Sequence, residues 1–198
     1  MSQNRKVTSK SLKRRCAWVP EGDALYAKYH DTEWGVPVYA DQTIFEFLVL
    51  ESAQAGLSWV IVLRKRENYR KAFAKFDPKK VARFTPQHVT KLLQNSGIIR
   101  NRAKIEATIN NARCFLQVQK EFGTFAKYIW SFVSGKPRCN RFKSLKNLPA
   151  KTPQAEALSL DLKARGFKFL GPTVIYAHMQ ATGMVNDHTI DCFRYKEV

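Results

Sequence analysis

The sequence predicts a mostly α-helical fold, a bundle of about eight to ten short helices. Three observations carry that expectation. Asp77-Pro78, Thr85-Pro86 and Thr152-Pro153 each place a capping oxygen directly before a proline. Proline suits the first helical position, where its missing N–H would be unpaired anyway. Gly97, Gly123, Gly166 and Gly183 stand where apolar stripes at helical spacing stop. No run alternates apolar and polar residues with the period of two that a half-buried strand needs.

In chain order, residues 1–15 carry Arg5, Lys6, Lys10, Lys13, Arg14 and Arg15 with few apolar partners. Such a segment cannot bury enough surface to offset its ordering, and a flexible basic tail is expected. Residues 16–198 then form a single helical domain. Asp41 can cap a helix through Phe45, Leu48 and Val49 toward Gly56, and Ser58 can cap the next, with Val60, Ile61, Leu63 and Tyr69. Over about 86–112, Val89, Leu92 and Leu93 form one stripe, Gly97 breaks it, and Ala103, Ile105, Ile109 and Ala112 resume it. This is a hairpin of two helices flanked by Arg100, Arg102 and Lys104. A glycine turn with outward N–H groups and nearby cations can hold a phosphate. Any αα-hairpin with a basic turn would read the same way.

Charge narrows the partner. The 198 residues hold 34 Lys and Arg against 16 Asp and Glu, a formal net charge of +18. A polyanion is the natural ligand, nucleic acid first, although phosphate attraction alone specifies no chemistry. No apolar run reaches bilayer length, and the basic start lacks the apolar stretch of a secretory signal. A cytoplasmic protein is expected, without membrane contact. In that reducing compartment Cys16, Cys114, Cys139 and Cys192 read as thiols or metal ligands.

His188 and Cys192 are four apart, which on a helix puts both on one face. With Cys16 and His30 they offer Cys2His2, a closed set of the kind structural zinc prefers. On spacing alone, core histidines and buried thiols explain the four equally well. His88 is expected on a solvated helix face, and His178 in the core.

Several stretches taken together resemble one family. CAWV, YAKYHDTEWGVPV, LESAQAGLSWVIVLRKRENYRKAF, FDPKKVA, SGIIRNRAKIEATINNA, YIWSFV and ARGFKFLGPTVIYAHMQATGMVNDH, with the closing Cys192, are similar to the 3-methyladenine DNA glycosylase I family across nearly all of residues 16–192. The resemblance implies a helix-hairpin-helix DNA glycosylase fold with a zinc-bearing lobe joining the N- and C-terminal segments. It implies one structural Zn2+ on Cys16, His30, His188 and Cys192. It further implies Glu51 and Tyr29 as the polar catalytic and base-reading pair, Trp59 as the stacking ring, and Tyr26 and Trp34 as further pocket aromatics. Leu57 and Ser58 correspond to the loop that enters the duplex, and Gly97, Arg100, Arg102 and Lys104 to the backbone-holding hairpin. Ser52-Ala53 departs from the Gly-Gln pair common in the family.

The implied activity is excision of 3-methyladenine from alkylated double-stranded DNA by a monomer in the bacterial cytoplasm, at the nucleoid, with free 3-methyladenine as product. One feature of the residues bears on mechanism. Many helix-hairpin-helix glycosylases place a catalytic Asp beyond the hairpin, yet this chain has no Asp between Asp77 and Asp161. A cationic, methylated base needs less acid–base help to leave. No lysine matches a pocket position, so a monofunctional enzyme without a Schiff-base step is expected. Two other readings compete: a non-catalytic DNA-binding module with structural zinc, and a glycosylase for an oxidised or mispaired purine.

Overall fold

The computed structural model describes residues 13–198. Nine α-helices are found among them: α1 (Ala24–Thr32), α2 (Asp41–Gln54), α3 (Trp59–Ala72), α4 (Pro78–Val81), α5 (Pro86–Gln94), α6 (Arg102–Phe122), α7 (Phe125–Ser131), α8 (Pro153–Ala164) and α9 (Pro172–Ala181). The mostly α expectation holds, and so do the three proline starts. Asp77 accepts from the amides of Lys79 and Lys80, and Thr152 from that of Ala155. Thr85 forms a reciprocal box with His88, whose ring stacks on Phe84 and stays exposed.

The centre of the fold is α2. Every residue from Ile44 to Ala53 is buried, and the helix packs on α3, α6, α7 and α9. A helix apolar on all sides belongs inside. That placement drags Glu46, Glu51 and Ser52 into the core with it. Glu46 is satisfied there: Arg66 donates to it at 2.5 Å and Arg70 lies at 2.8 Å. Arg66 also reaches Glu33 at 2.5 Å.

Several features depart from the sequence reading. Ser58 precedes α3, but its side chain makes no capping hydrogen bond. Asp41 does not cap its own helix. It is the first residue of α2, and its carboxylate accepts from the amides of Phe125 (2.8 Å) and Ala126 (2.9 Å) and from the Gln119 side chain (2.6 Å). It thus caps α7 across the core, because α2 and α7 meet there. Among the described residues there is also one strand pair, Arg138–Cys139 (β1) parallel to Val185–Asn186 (β2). Two residues per strand are too few for any period to show.

The expected tail at 1–15 lies outside the described residues apart from its last three. Of these, Arg14 and Arg15 are tied down. The Arg14 carbonyl accepts from Phe193 N (2.9 Å), Arg14 pairs with Asp191 (2.6 Å), and Arg15 grips Asp31 with two nitrogens. Gly183 closes the same region. Its φ is +68°, and a Cβ there would meet the Val36–Pro37 backbone at 2.4 Å. Only glycine lets the end of α9 lie against residues 35–38.

Charged hydrogen bonds to buried amides are strong. Asp41→Ala should therefore cost about 2–3 kcal/mol in urea unfolding, with an unchanged m-value. A loss below about 0.5 kcal/mol would show that the cap contributes nothing.

Candidate active site

Asp23 caps α1 by accepting from Tyr26 N at 3.0 Å. The helix it starts places Tyr26, Tyr29 and His30 on one face, at i, i+3 and i+4. The two tyrosines face a cavity of about 200 Å3, lined also by Trp18, Trp34, Glu51, Gln54, Trp59, Leu148, Ala177 and Gln180. Glu51 comes from the last turns of α2, Trp59 from the first residue of α3, and Ala177 and Gln180 from one face of α9. All five sequence-expected pocket residues meet here.

Glu51 is the only acid in the lining, and it is 4% exposed with no ion pair. Burial alone pushes its pKa up to about 8. Tyr29 is buried beside it, and burial followed by the Glu51 charge raises its hydroxyl well above the usual range. The contrast with Glu46 is informative. One core carboxylate has two arginines, while the other faces a cavity walled by rings. Trp59 lies 5.3 Å from Tyr29 between centroids, and its buried indole N–H has no partner among the described residues. A cavity with an unpaired carboxyl group, an idle donor and a wall of rings suits a flat, polar guest, and a cationic one would favour ionisation of Glu51.

Behind the aromatic wall stand Cys16, His30, His188 and Cys192. All four are buried, and their ligand atoms lie within 4.8 Å of one another. His188 Nδ1 lies 3.4 Å from Cys16 Sγ and 3.5 Å from Cys192 Sγ, and His30 Nε2 lies 3.4 Å from Cys192 Sγ. The other ring nitrogens meet oxygens: His30 Nδ1 meets Asp31 at 2.8 Å, and His188 Nε2 meets the Trp34 carbonyl at 3.1 Å. A carbonyl can only accept, so His188 carries its proton on Nε2 and turns a lone pair to the cluster. The His188–Cys192 pair is not on a helix as its spacing suggested. It spans a turn closed by Cys192 N to Thr189 O at 2.8 Å. Gly35, at φ +80°, leaves room for the ring, since a Cβ there would stand 3.0 Å from His188 Nε2. The cluster is continuous with the pocket, because Trp18 packs 5.2 Å from His30 and 5.0 Å from Trp34.

On the other side, Gly56 (φ +79°), Leu57 and Ser58 turn the chain from α2 into α3 at the cavity lip. Leu57 is 39% exposed. The hairpin of α5 and α6 abuts this turn. Lys104 Nζ donates to the carbonyls of Ala53 (2.9 Å) and Ala55 (2.6 Å), and Tyr69 accepts from Ile99 N at 3.1 Å. Arg100 is exposed, and Arg102 pairs loosely with Glu106 at 3.3 Å. The Gly97 amide is taken by Asn95 Oδ1 at 2.8 Å, and the glycine lets the turn touch Asn68.

Sequence reasoning did not assign Trp18, Gln54, Leu148, Ala177 or Gln180 to the cavity. Trp18 stands two residues from Cys16, and Gln180 two from His178, so the signal lay inside conspicuous stretches. Gln180 is held by Asp187, which accepts from its amide at 2.7 Å and from Tyr176 at 2.5 Å. His178 itself is fully buried, and burial lowers its pKa to about 3, which keeps it neutral in the core as expected.

Comparison with known proteins returns a consistent set. The profile of a family described as Methyladenine glycosylase matches residues 18–195. DNA-3-methyladenine glycosylase 1 of Escherichia coli K12 is 49% identical over 181 residues, spanning 91% of this chain and 96% of that protein. A crystal structure of a 3-methyladenine DNA glycosylase I superposes with a TM-score of 0.89 at 50% identity, covering 91% of this chain and 98% of that one. A structure of the Staphylococcus aureus enzyme, described as the basis of its 3-methyladenine recognition, gives 0.87 at 39% identity over 90% and 95%.

The Glu51 environment has a thermodynamic signature. An unfolded chain ionises Glu near its ordinary 4.5, whereas the folded pocket keeps the proton up to about 8. The native state therefore binds more protons across that window, and stability falls as pH rises through it. Glu51→Gln has no such proton to lose. Its Tm minus that of the parent should grow by several degrees from about pH 5 to about pH 8. A pH-independent difference would show that Glu51 ionises freely.

Proposed function

Starting from the methyladenine glycosylase family, to which this chain belongs, we propose that it flips 3-methyladenine out of alkylated double-stranded DNA and hydrolyses its N-glycosyl bond. It acts in base-excision repair and leaves an abasic site. The observation that carries this reading is the uncompensated carboxylate of Glu51 inside a box of tyrosine and tryptophan rings.

A target base cannot be reached within a stacked duplex, so it is rotated into a pocket. N3-methylation makes the nucleotide base cationic. Its charge is attracted to the ring faces of Trp59 and Tyr29 and to the Glu51 carboxylate. Stacking on one ring contributes about 1–3 kcal/mol. Glu51 gives up its proton more readily once the cation is beside it, and the hydroxyl of Tyr29 donates to the base edge. When the bond to C1′ breaks, its electron pair leaves with the base and neutralises it. Glu51 meanwhile steadies the positive charge that develops on the sugar. Water adds to C1′ and releases its proton to solvent. Neither an aspartate nor a lysine lines the cavity. That supports a monofunctional route, in which no amine attacks the sugar. Leu57 and Ser58 fill the gap in the duplex, and Gly97, Arg100 and Arg102 hold the backbone. Lys104 serves the hairpin through the α2 carbonyls.

The rear cluster is read as one structural Zn2+ site. Tetrahedral Zn–S and Zn–N bonds of ordinary length put S and N about 3.5 Å apart, which the distances of 3.4, 3.4 and 3.5 Å match. Asp31 and the Trp34 carbonyl supply the outer partners that orient ligating histidines. Four protein ligands leave no open position for water or substrate. The reading makes the enzyme a monomer of the bacterial cytoplasm, acting at the nucleoid. No helix among the described residues is long and apolar enough to cross a membrane.

Chromatography of bases released from methylated DNA should show 3-methyladenine far above 7-methylguanine, and no strand break without alkali. Glu51→Gln should slow single-turnover release about 100-fold; an unchanged rate removes Glu51 from the mechanism. Metal analysis should find one zinc per chain, lost in Cys192→Ser together with several degrees of Tm. A metal-free parent with the same stability refutes the zinc site.

A further inference from the structure

The hairpin is not the only cationic surface at the cavity. Between Glu121 and Glu156 the chain has no acidic residue. Within that stretch, Lys136, Arg138, Arg141, Lys143 and Lys146 are all exposed, and none has an ion-pair partner among the described residues. Lys151, by contrast, is paired with Glu156 at 2.5 Å. Five unpaired cations on one short segment repel each other and gain nothing from folding.

The segment is nevertheless built into the fold. Arg138 N donates to Met184 O (3.0 Å), Asn140 N to Asn186 O (3.1 Å), and Ile190 N to Phe142 O (3.0 Å). The Asn140 side chain donates to buried Asp187 at 2.6 Å. Past these anchors the strap continues through a 3-10 turn, Leu145–Asn147, to Leu148, which lines the base cavity. Lys146 is therefore two residues from the cavity wall. Gln54, which leads into the Leu57 loop, lines the same cavity.

We propose that the strap 136–148 is a second phosphate-binding surface, which holds the DNA backbone at the cavity mouth independently of the hairpin. Its ligand is the phosphodiester backbone of the strand bearing the lesion, and the contact is indifferent to base identity. Resting on the glycosylase reading, it adds a grip that the family's hairpin does not supply. A nucleotide turned out of the duplex must carry its flanking phosphates past the mouth, and unpaired cations there neutralise them.

The test is the salt dependence of binding to a duplex containing a stable abasic-site analogue, followed by fluorescence anisotropy. Each phosphate contact contributes about 0.9 to the slope of log K against log salt. Lys143→Ala with Lys146→Ala should reduce the slope by about 1.8 and weaken binding several-fold, and the double Glu variant should weaken it further. Free 3-methyladenine should bind both variants as it binds the parent, which shows the pocket intact. Lys151→Ala, already paired, should keep the parent slope. A parental slope in the double Ala variant overturns the proposal, as does a loss of free-base binding equal to the loss for DNA. If the parent releases no 3-methyladenine the glycosylase reading fails, while the slope still decides the strap.

Discussion

A carboxylate removed from water with no cation beside it opposes folding, and Glu51 occupies that position on the helix that can least avoid it. α2 is buried from Ile44 to Ala53, so a polar side chain there must be paired or left to face a hole. Arg66 and Arg70 answer Glu46. Nothing answers Glu51 except rings and a cavity, and its proton is held to about pH 8. The rest of the architecture keeps that hole open and shaped. α1 supplies two tyrosines at helical spacing, α3 begins with Trp59, and α9 adds Gln180, locked by Asp187. An apolar collapse would relieve the cost only by abandoning the site.

What prevents the collapse is the rigidity behind the wall. Trp18 and Trp34 back onto His30 and His188, and those histidines are oriented by Asp31 and by the Trp34 carbonyl. Arg15 holds Asp31, and Arg14 holds Asp191, so the first and last described segments meet beside the cluster. Pocket shape and terminal closure are one structural problem. The cavity and the Cys2His2 cluster share tryptophan rings for that reason.

Local chemistry was the readable part of the fold. A capping oxygen before proline acts within a few residues, and all three such starts are helices. Ser58, which makes no capping bond, is a local failure; the larger ones are non-local. The sequence around Asp41 resembles a cap for α2, but the amides that need its carboxylate belong to α7, more than eighty residues on. His188 and Cys192 have helical spacing, yet they stand on a turn where their side chains meet that of Cys16. The site divides in the same way. Glu51, Tyr29, Tyr26, Trp34 and Trp59 were reached through the resemblance. Gln180 and Leu148 became visible only when distant elements met around one cavity. Lys104 has the composition of a phosphate contact, and its ammonium turns out to be spent on two carbonyls.

Those two carbonyls have a mechanical meaning. They belong to Ala53 and Ala55, where α2 ends just beyond Glu51 and the chain turns through Gly56 toward Leu57. Lys104 sits in the first turn of the second hairpin helix. One ammonium group thus ties the α5–α6 hairpin to the end of the helix that carries Glu51. A load placed on the hairpin is transmitted to the lip of the cavity within a single side chain's length. On the proposed reading, the surface that would hold the strand and the pocket that would take the base are joined through one side chain rather than standing as separate parts.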